Sequence, residues 1–135
     1  MTMTLEALQT MIDASLRARG GLKVPALDVL AVLVHQSVLS LAEQAVVLRL
    51  KVTDYANNNI LRTIEPGVYL RVPVQALNAT DEIDLDDSLI HALAFDVAAS
   101  LARDVASYKI YKEISNQHLA NHHFKIYETE EELTL

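Results

Sequence analysis

Residues 27–48 constrain the fold more than any other part of the chain, because their apolar side chains cover nearly every side of the helix that their spacing predicts. Leu30, Val34, Val38 and Leu41 recur three or four residues apart, which places them on one helical face. Further apolar residues flank that stripe. A helix that is apolar nearly all round lies at the centre of a domain or has a second face covered by a neighbour. We expect both for this helix.

Polar residues interrupt the same stretch at His35, Gln36 and Glu43, whereas a membrane span needs about 20 mostly apolar residues. We therefore expect no membrane contact. The first residues lack a basic region followed by an apolar core, so no secretory signal is expected and a cytosolic location is the default.

The totals favour one domain whose surface is partly covered by other proteins. The 135 residues suit a single domain, and 51% of them are hydrophobic with few aromatics. Such a short chain cannot bury unlimited apolar surface, so we expect a partner to cover part of it. The absence of cysteine excludes disulfides and thiolate metal sites. A net charge of -7 opposes a surface that grips phosphates.

The predicted fold is mainly α: a four-helix bundle-like domain with a short β-hairpin or extended excursion between helices 2 and 3. Helices are expected at about residues 4–19, 26–48, 86–103 and 105–127, forming one domain over residues 1–127. Gly20 and Gly21 are expected to end the first helix. The excursion covers about residues 60–73, with Pro66 and Gly67 at the centre of a type II turn. Residues 128–135, with four glutamates, are predicted to be an acidic tail.

No pattern in the sequence predicts catalysis or a bound cofactor. His118 and His122 are four residues apart, as in helical zinc sites, but a third ligand is missing and a polar helix face explains them better. The acidic run at residues 81–87 lacks the spacing of a calcium loop, and a helix N-terminus attracts acids anyway. Tyrosines interleaved with lysines at residues 108–127 could contact nucleic acid, but tyrosine at helical spacing is more often core. We predict no enzyme, no metal and no cofactor.

The order of these elements resembles the head-to-tail connector (adaptor) proteins of tailed bacteriophages. The similarity lies in residues 65–73 (EPGVYLRVP), which look like that family's segment of turn, tyrosine, apolar residue and proline. Residues 83–93 (IDLDDSLIHAL) resemble its acidic and apolar lead into a helix, and residues 109–113 and 121–124 resemble its final helix.

The resemblance implies a structural virion protein of the neck, assembled in the host cytoplasm. Copies would form a ring, often twelve-fold, under the portal protein. They would extend the DNA channel, let DNA pass without specific binding, and receive the next tail or neck protein.

Two surfaces are hypothesised for these contacts. The subunit interface is assigned to a second face of helix 2: Val29, Leu33, Val46 and Val47. Docking on the portal is assigned to the C-terminal stretch, in which the candidates are His118, His122, His123, Phe124 and Tyr127.

Two other functions stay open at this point. One is a small acidic helical regulatory or antitoxin-like protein that binds one protein partner. The other is a metal-dependent helical protein that uses the paired histidines.

Overall fold

The computed structural model describes residues 3–17 and 24–134, with side chains described as far as residue 123. These residues are mainly helical, with four α-helices and a small three-stranded antiparallel sheet. The helices are α1 (Leu5–Arg17), α2 (Leu27–Gln44), α3 (Ile90–Leu101) and α4 (Val105–Thr134). The strands are β1 (Lys51–Val52), β2 (Ile60–Glu65) and β3 (Val68–Arg71), and short 3-10 turns occupy Leu48–Leu50 and Asp87–Leu89.

α1 buries one apolar face, and its N-terminus is hydrogen-bonded to the segment that precedes α3. Leu5, Leu8, Ile12 and Leu16 are all buried. The amides at positions 5 and 6 donate to the carbonyl oxygens of residues 81 and 79, and the amide at 83 donates back to the carbonyl of residue 3. The predicted stop at Gly20 and Gly21 lies outside the described residues.

α2 ends at Gln44, four residues before the predicted end. The backbone of Ala45 is extended. A side chain from β2 donates hydrogen bonds to the carbonyl oxygens left unpaired at the end of the helix. Arg62 donates from Nε to the carbonyl oxygen of Ala42 at 2.9 Å and from Nη2 to that of Ala45 at 2.7 Å. A guanidinium at this position satisfies acceptors that a helix C-terminus leaves unpaired and complements its negative dipole end.

α3, and not α2 as predicted, is the helix that packs against all three others. Most of its residues are buried, and several of them are alanines, which allow neighbouring helices to approach closely. α2 keeps its core stripe buried but leaves Val29 and Val32 about half exposed. Of the two roles expected for α2, the central one therefore belongs to α3.

The predicted turn is confirmed, and the sheet has one more strand than expected. Pro66 and Gly67 join β2 to β3, and Gly67 has a φ of +82°, a conformation that glycine adopts without a steric penalty. β3 lies in the middle, paired antiparallel with β2 and with the short β1, which the sequence analysis did not predict. β2 pairs with β3 through two register shifts.

α4 runs antiparallel to α3, and polar pairs join the two helices at intervals. The Lys112 ammonium contacts Asp96 at 2.6 Å, and the Ser115 hydroxyl donates to the carbonyl oxygen of Ala92 at 2.7 Å. Further along, the ring of His118 stacks on that of His91. The helical backbone continues to Thr134, seven residues beyond the predicted end and through most of the predicted tail.

Candidate interaction surfaces

The four residues hypothesised as a subunit interface do not share one helical face. Val29 lies on the outside of α2 and is 50% exposed, and Leu33 is half-buried beside the core. Val46 and Val47 follow the end of the helix, and Val47 is fully buried in the core. The hypothesis is therefore wrong for Val47, because a side chain enclosed within the subunit cannot contact another one.

The outward side of α2 nevertheless forms a continuous surface, here called the α2 face. Its two large apolar side chains are Val29 and Val32, both about half exposed. Its exposed charges are Asp28 near the start of the helix and Glu43 near its end, with Gln36 between them. The α2 face is thus apolar over the first two turns of the helix, beside Asp28, and carries a second acid, Glu43, at its far end.

A second exposed apolar surface lies where α4 begins and is here called the α4 corner. It comprises Val105 and Tyr108, which are 70% and 45% exposed, with the exposed basic residues Arg103 and Lys109 beside them. Asp104 lies in the same corner and caps the helix, since its carboxylate accepts the amide hydrogen of Ser107 at 3.0 Å. The sequence pattern did not indicate this surface, because tyrosine at helical spacing is more often part of the core.

The extended residues 72–77 form a third apolar surface, with Val74 and Leu77 largely exposed. A buried carboxylate holds this segment in place. Asp84 accepts two hydrogen bonds from Arg71, at 2.5 and 3.0 Å, one from Arg49 Nε at 3.0 Å and one from the amide of Val74 at 2.9 Å. These hydrogen bonds to Asp84 connect β3 and the first 3-10 turn to the segment before α3.

Asp84 stays ionised in this environment. Burial by itself would raise the pKa of its carboxyl group, but hydrogen bonds from Arg71, Val74 and Arg49 and the charge of Arg71 outweigh burial and hold the pKa below its usual value. The same pairing raises the pKa of Arg71.

The other acids of residues 81–87 also bind protein groups, but not all as predicted. Asp86 makes no side-chain bond to its own 3-10 turn. Its carboxylate instead accepts the amides of Leu48 and Arg49 at 2.7 and 2.8 Å and so caps the other 3-10 turn. Asp81 accepts the amides of residues 77 and 78, and these bonds lower its pKa.

The histidines of the hypothesised portal-docking stretch have three different environments. His122 is fully buried: its Nε2 lies 2.8 Å from the carbonyl oxygen of Val46 and its Nδ1 lies 2.5 Å from the Ser88 hydroxyl. A carbonyl oxygen only accepts, so Nε2 carries a proton, and in the neutral ring Nδ1 accepts from Ser88. His122 therefore fastens α4 to the exit of α2 and to the second 3-10 turn, and it is unavailable to a partner.

His118 is half-buried and His123 is exposed. The ring of His118 stacks on His91 with centroids 5.1 Å apart and on Phe95 with centroids 6.0 Å apart. Burial, and then the neighbouring His91, lower the pKa of His118. The side chains of Phe124 and Tyr127 lie outside the described part of the chain.

A groove of about 460 Å³ opens between α1 and the start of α3. Met3 and Met11 form one wall, and Ile90 and His91 form the other. Flexible thioether side chains adapt to different apolar shapes, so such a groove suits an apolar side chain of a partner.

Among the side chains that the structure describes, in residues 3–17 and 24–123, His, Asp and Glu nowhere gather in a group of three that could hold a metal ion. None of the helices in residues 3–17 and 24–134 has both the length and the apolar character of a membrane span.

Comparison with protein-family models, with curated proteins and with solved structures finds no match for this chain.

Proposed function

We propose that the chain is a structural subunit of a phage-type head-to-tail connector, in which copies with a bundle-like helical body assemble into a ring under a portal protein. The observation that carries the proposal is the α2 face. Val29 and Val32 are each about half exposed, although the other side of α2 fills a continuous core. Neighbouring apolar side chains left on the surface of a small domain often mark a protein contact.

A ring needs a contact between two different surfaces of the same chain. Such a head-to-tail contact closes into a ring when the rotation between neighbours divides a full turn. The described residues offer three separate apolar surfaces: the α2 face, the α4 corner and residues 72–77. This supply exceeds what one symmetric dimer contact would use, and it supports a subunit with several neighbours.

The charge of the chain suits a channel for DNA. A net charge of -7 repels phosphates, so DNA can slide past without being held. In the assembled ring, DNA would pass through the central channel without specific binding.

Portal docking is proposed for the second half of α4. Because His122 is enclosed in the subunit, the exposed His123 and the residues after it remain the candidates. Removing residues 128–135 should weaken binding to a portal ring and leave the melting temperature within a few degrees of the wild type. Unchanged portal binding would remove these residues from that role.

Light-scattering mass over a concentration series, with negative-stain images of large species, tests the proposal. A connector gives closed rings with an open centre, either alone or when the portal protein is added. A strict dimer that ignores the portal would refute it.

The groove between α1 and α3 favours a second candidate, the acidic helical regulator that binds a single protein. A regulator would use the groove lined by Met3, Met11 and Ile90 for an apolar side chain of its partner. Met11→Glu should then abolish binding of that partner, whereas the connector proposal predicts that the variant still forms rings and binds the portal like the wild type.

A further inference from the structure

The α2 face and the α4 corner are complementary in charge. Asp28 and Glu43 are the exposed charged residues of the α2 face, and both are acidic. Arg103 and Lys109 flank the apolar side chains of the α4 corner and outnumber its acid, Asp104, whose carboxylate accepts the Ser107 amide. Each surface also presents two large exposed apolar side chains: Val29 and Val32 beside Asp28, and Val105 and Tyr108 beside Lys109. An apolar centre with a charged rim is the usual composition of a protein interface.

The positions of the two surfaces allow both to be occupied at once. α2 and α4 each pack along α3, and within the described residues neither packs along the other. Their outward faces therefore lie on different sides of the subunit. One copy can present its α2 face to one neighbour and its α4 corner to another.

From this charge complementarity and placement we propose that the α2 face of one copy docks on the α4 corner of the next copy. The inference rests on the proposed ring and specifies its contact: Val29 and Val32 pack against Val105 and Tyr108. In this arrangement Asp28, which precedes Val29, lies near Arg103 and Lys109 of the neighbour. Opposite charges at the rim set the register of the contact and increase the rate of association, and both effects weaken as salt rises.

Disulfide cross-linking between two single-cysteine variants tests this pairing, because the natural chain has no cysteine. Val32→Cys and Val105→Cys are mixed in equal amounts and oxidised near neutral pH. The mixed dimer should exceed either homodimer several-fold. Val32→Cys paired with Asn57→Cys, an exposed position on the loop between β1 and β2, is the matched control and should give only background. A dominant Val32 homodimer, or a mixed dimer no stronger than the control, would overturn the proposal.

A charge exchange gives an independent test that does not rely on new cysteines. Asp28→Lys and Lys109→Glu should each weaken self-association about tenfold at low salt, and the double variant should recover most of the loss. Glu65→Lys and Lys51→Glu make the same charge changes at exposed sites on the sheet and should have little effect. A double variant as weak as the single ones, or a wild-type chain that does not self-associate either alone or with the portal protein, would contradict the pairing.

These results separate the contact from the function. Rings that form without cross-linking between positions 32 and 105 would refute the contact and leave the connector proposal standing. Specific cross-linking in an assembly that never closes into a ring would support the contact and refute the connector.

Discussion

Replacement of Asp84 by asparagine removes the negative charge on which Arg71, Arg49 and the amide of Val74 converge. The amide side chain keeps one acceptor oxygen and turns an NH₂ group toward donors. Arg71 then loses its counter-charge, and Arg49 keeps only the exposed Glu82 carboxylate at 3.4 Å. Breaking a buried ion pair by removing one partner costs about 3–5 kcal/mol. Asp84 is buried, but the side chains of Arg71 and Arg49 are 26% and 34% exposed, so water compensates in part. We therefore expect a loss of about 2–4 kcal/mol, about 1 kcal/mol less than that range.

Urea unfolding followed by circular dichroism measures this loss at pH 7. A fall of that size should also lower the melting temperature by roughly 10 °C in a domain of this length. Asp28→Asn is the matched control, since it makes the same chemical change at an exposed site and should cost less than about 0.5 kcal/mol. A loss below about 1 kcal/mol in Asp84→Asn would refute the reasoning, because the ion pair would then be no stronger than one on the surface.

Asp84→Asn and the wild type should also differ in how their stability changes at acid pH. The pKa of Asp84 is lower in the folded chain than in the unfolded one. Its contribution is therefore complete above the unfolded pKa of about 3.9 and disappears as the pH falls through the lower folded pKa. The gap in unfolding free energy between wild type and Asp84→Asn should stay constant from pH 7 to about 5 and narrow below about 4. A gap that narrows near neutral pH would assign the effect to another group.

Three further outcomes follow from single side chains. His122→Leu should lower the free energy of unfolding by about 1–3 kcal/mol, because the Ser88 hydroxyl and the Val46 carbonyl each lose a hydrogen-bond partner. Chemical denaturation measures this loss, and an unchanged unfolding midpoint would contradict the prediction. The pKa of His118 is lowered by folding, so its contribution to the free energy of unfolding is complete above the unfolded pKa of about 6.5 and is lost as the pH falls below it. The loss of stability between pH 7.5 and 5.5 should therefore be smaller in His118→Gln than in the wild type. An equal loss in both chains would exclude His118 as its source. Gly67→Ala should lower the free energy of unfolding by about 1–2 kcal/mol through the φ of +82° alone, since an added Cβ meets open space. Thermal melts that match the wild type would show that the turn relaxes.

Local patterns in the sequence were enough to predict the helices and the turn. The buried stripe of α1 follows a regular spacing of three and four residues, and the pair Pro66–Gly67 specifies a turn by its backbone preferences alone. The end of α2 could not be predicted in this way. Residues 45–65 contain no glycine or proline as a stop signal. The carbonyl groups at the end of the helix are satisfied by Arg62, which lies 17 or more residues away.

The environments of the candidate site residues depend even more than the helix ends on contacts between residues far apart in the sequence. His118 and His122 look equivalent on a helical projection, yet His118 stacks against α3 while His122 is enclosed by Val46 and Ser88. Asp86 looks like the cap of the helix that follows it, but its carboxylate binds amides 37 and 38 residues earlier in the chain. Spacing along the chain shows which residues share a face of one element, and only the tertiary fold decides what that face meets.

Stability and assembly are separable in this subunit, because different residues serve them. The polar groups that join distant segments, Asp84 and His122, are buried and touch neither the α2 face nor the α4 corner. Val32 and Lys109 are exposed and belong to those two surfaces. Replacing the buried groups should therefore shift the unfolding midpoint and spare the concentration dependence of assembly at temperatures where the chain stays folded. Replacing Val32 or Lys109 should do the opposite, since exposed substitutions rarely change the free energy of unfolding by more than about 0.5 kcal/mol. If Val32→Glu unfolded the chain, the α2 face would belong to the core of the subunit and could not be the surface on which a second copy docks.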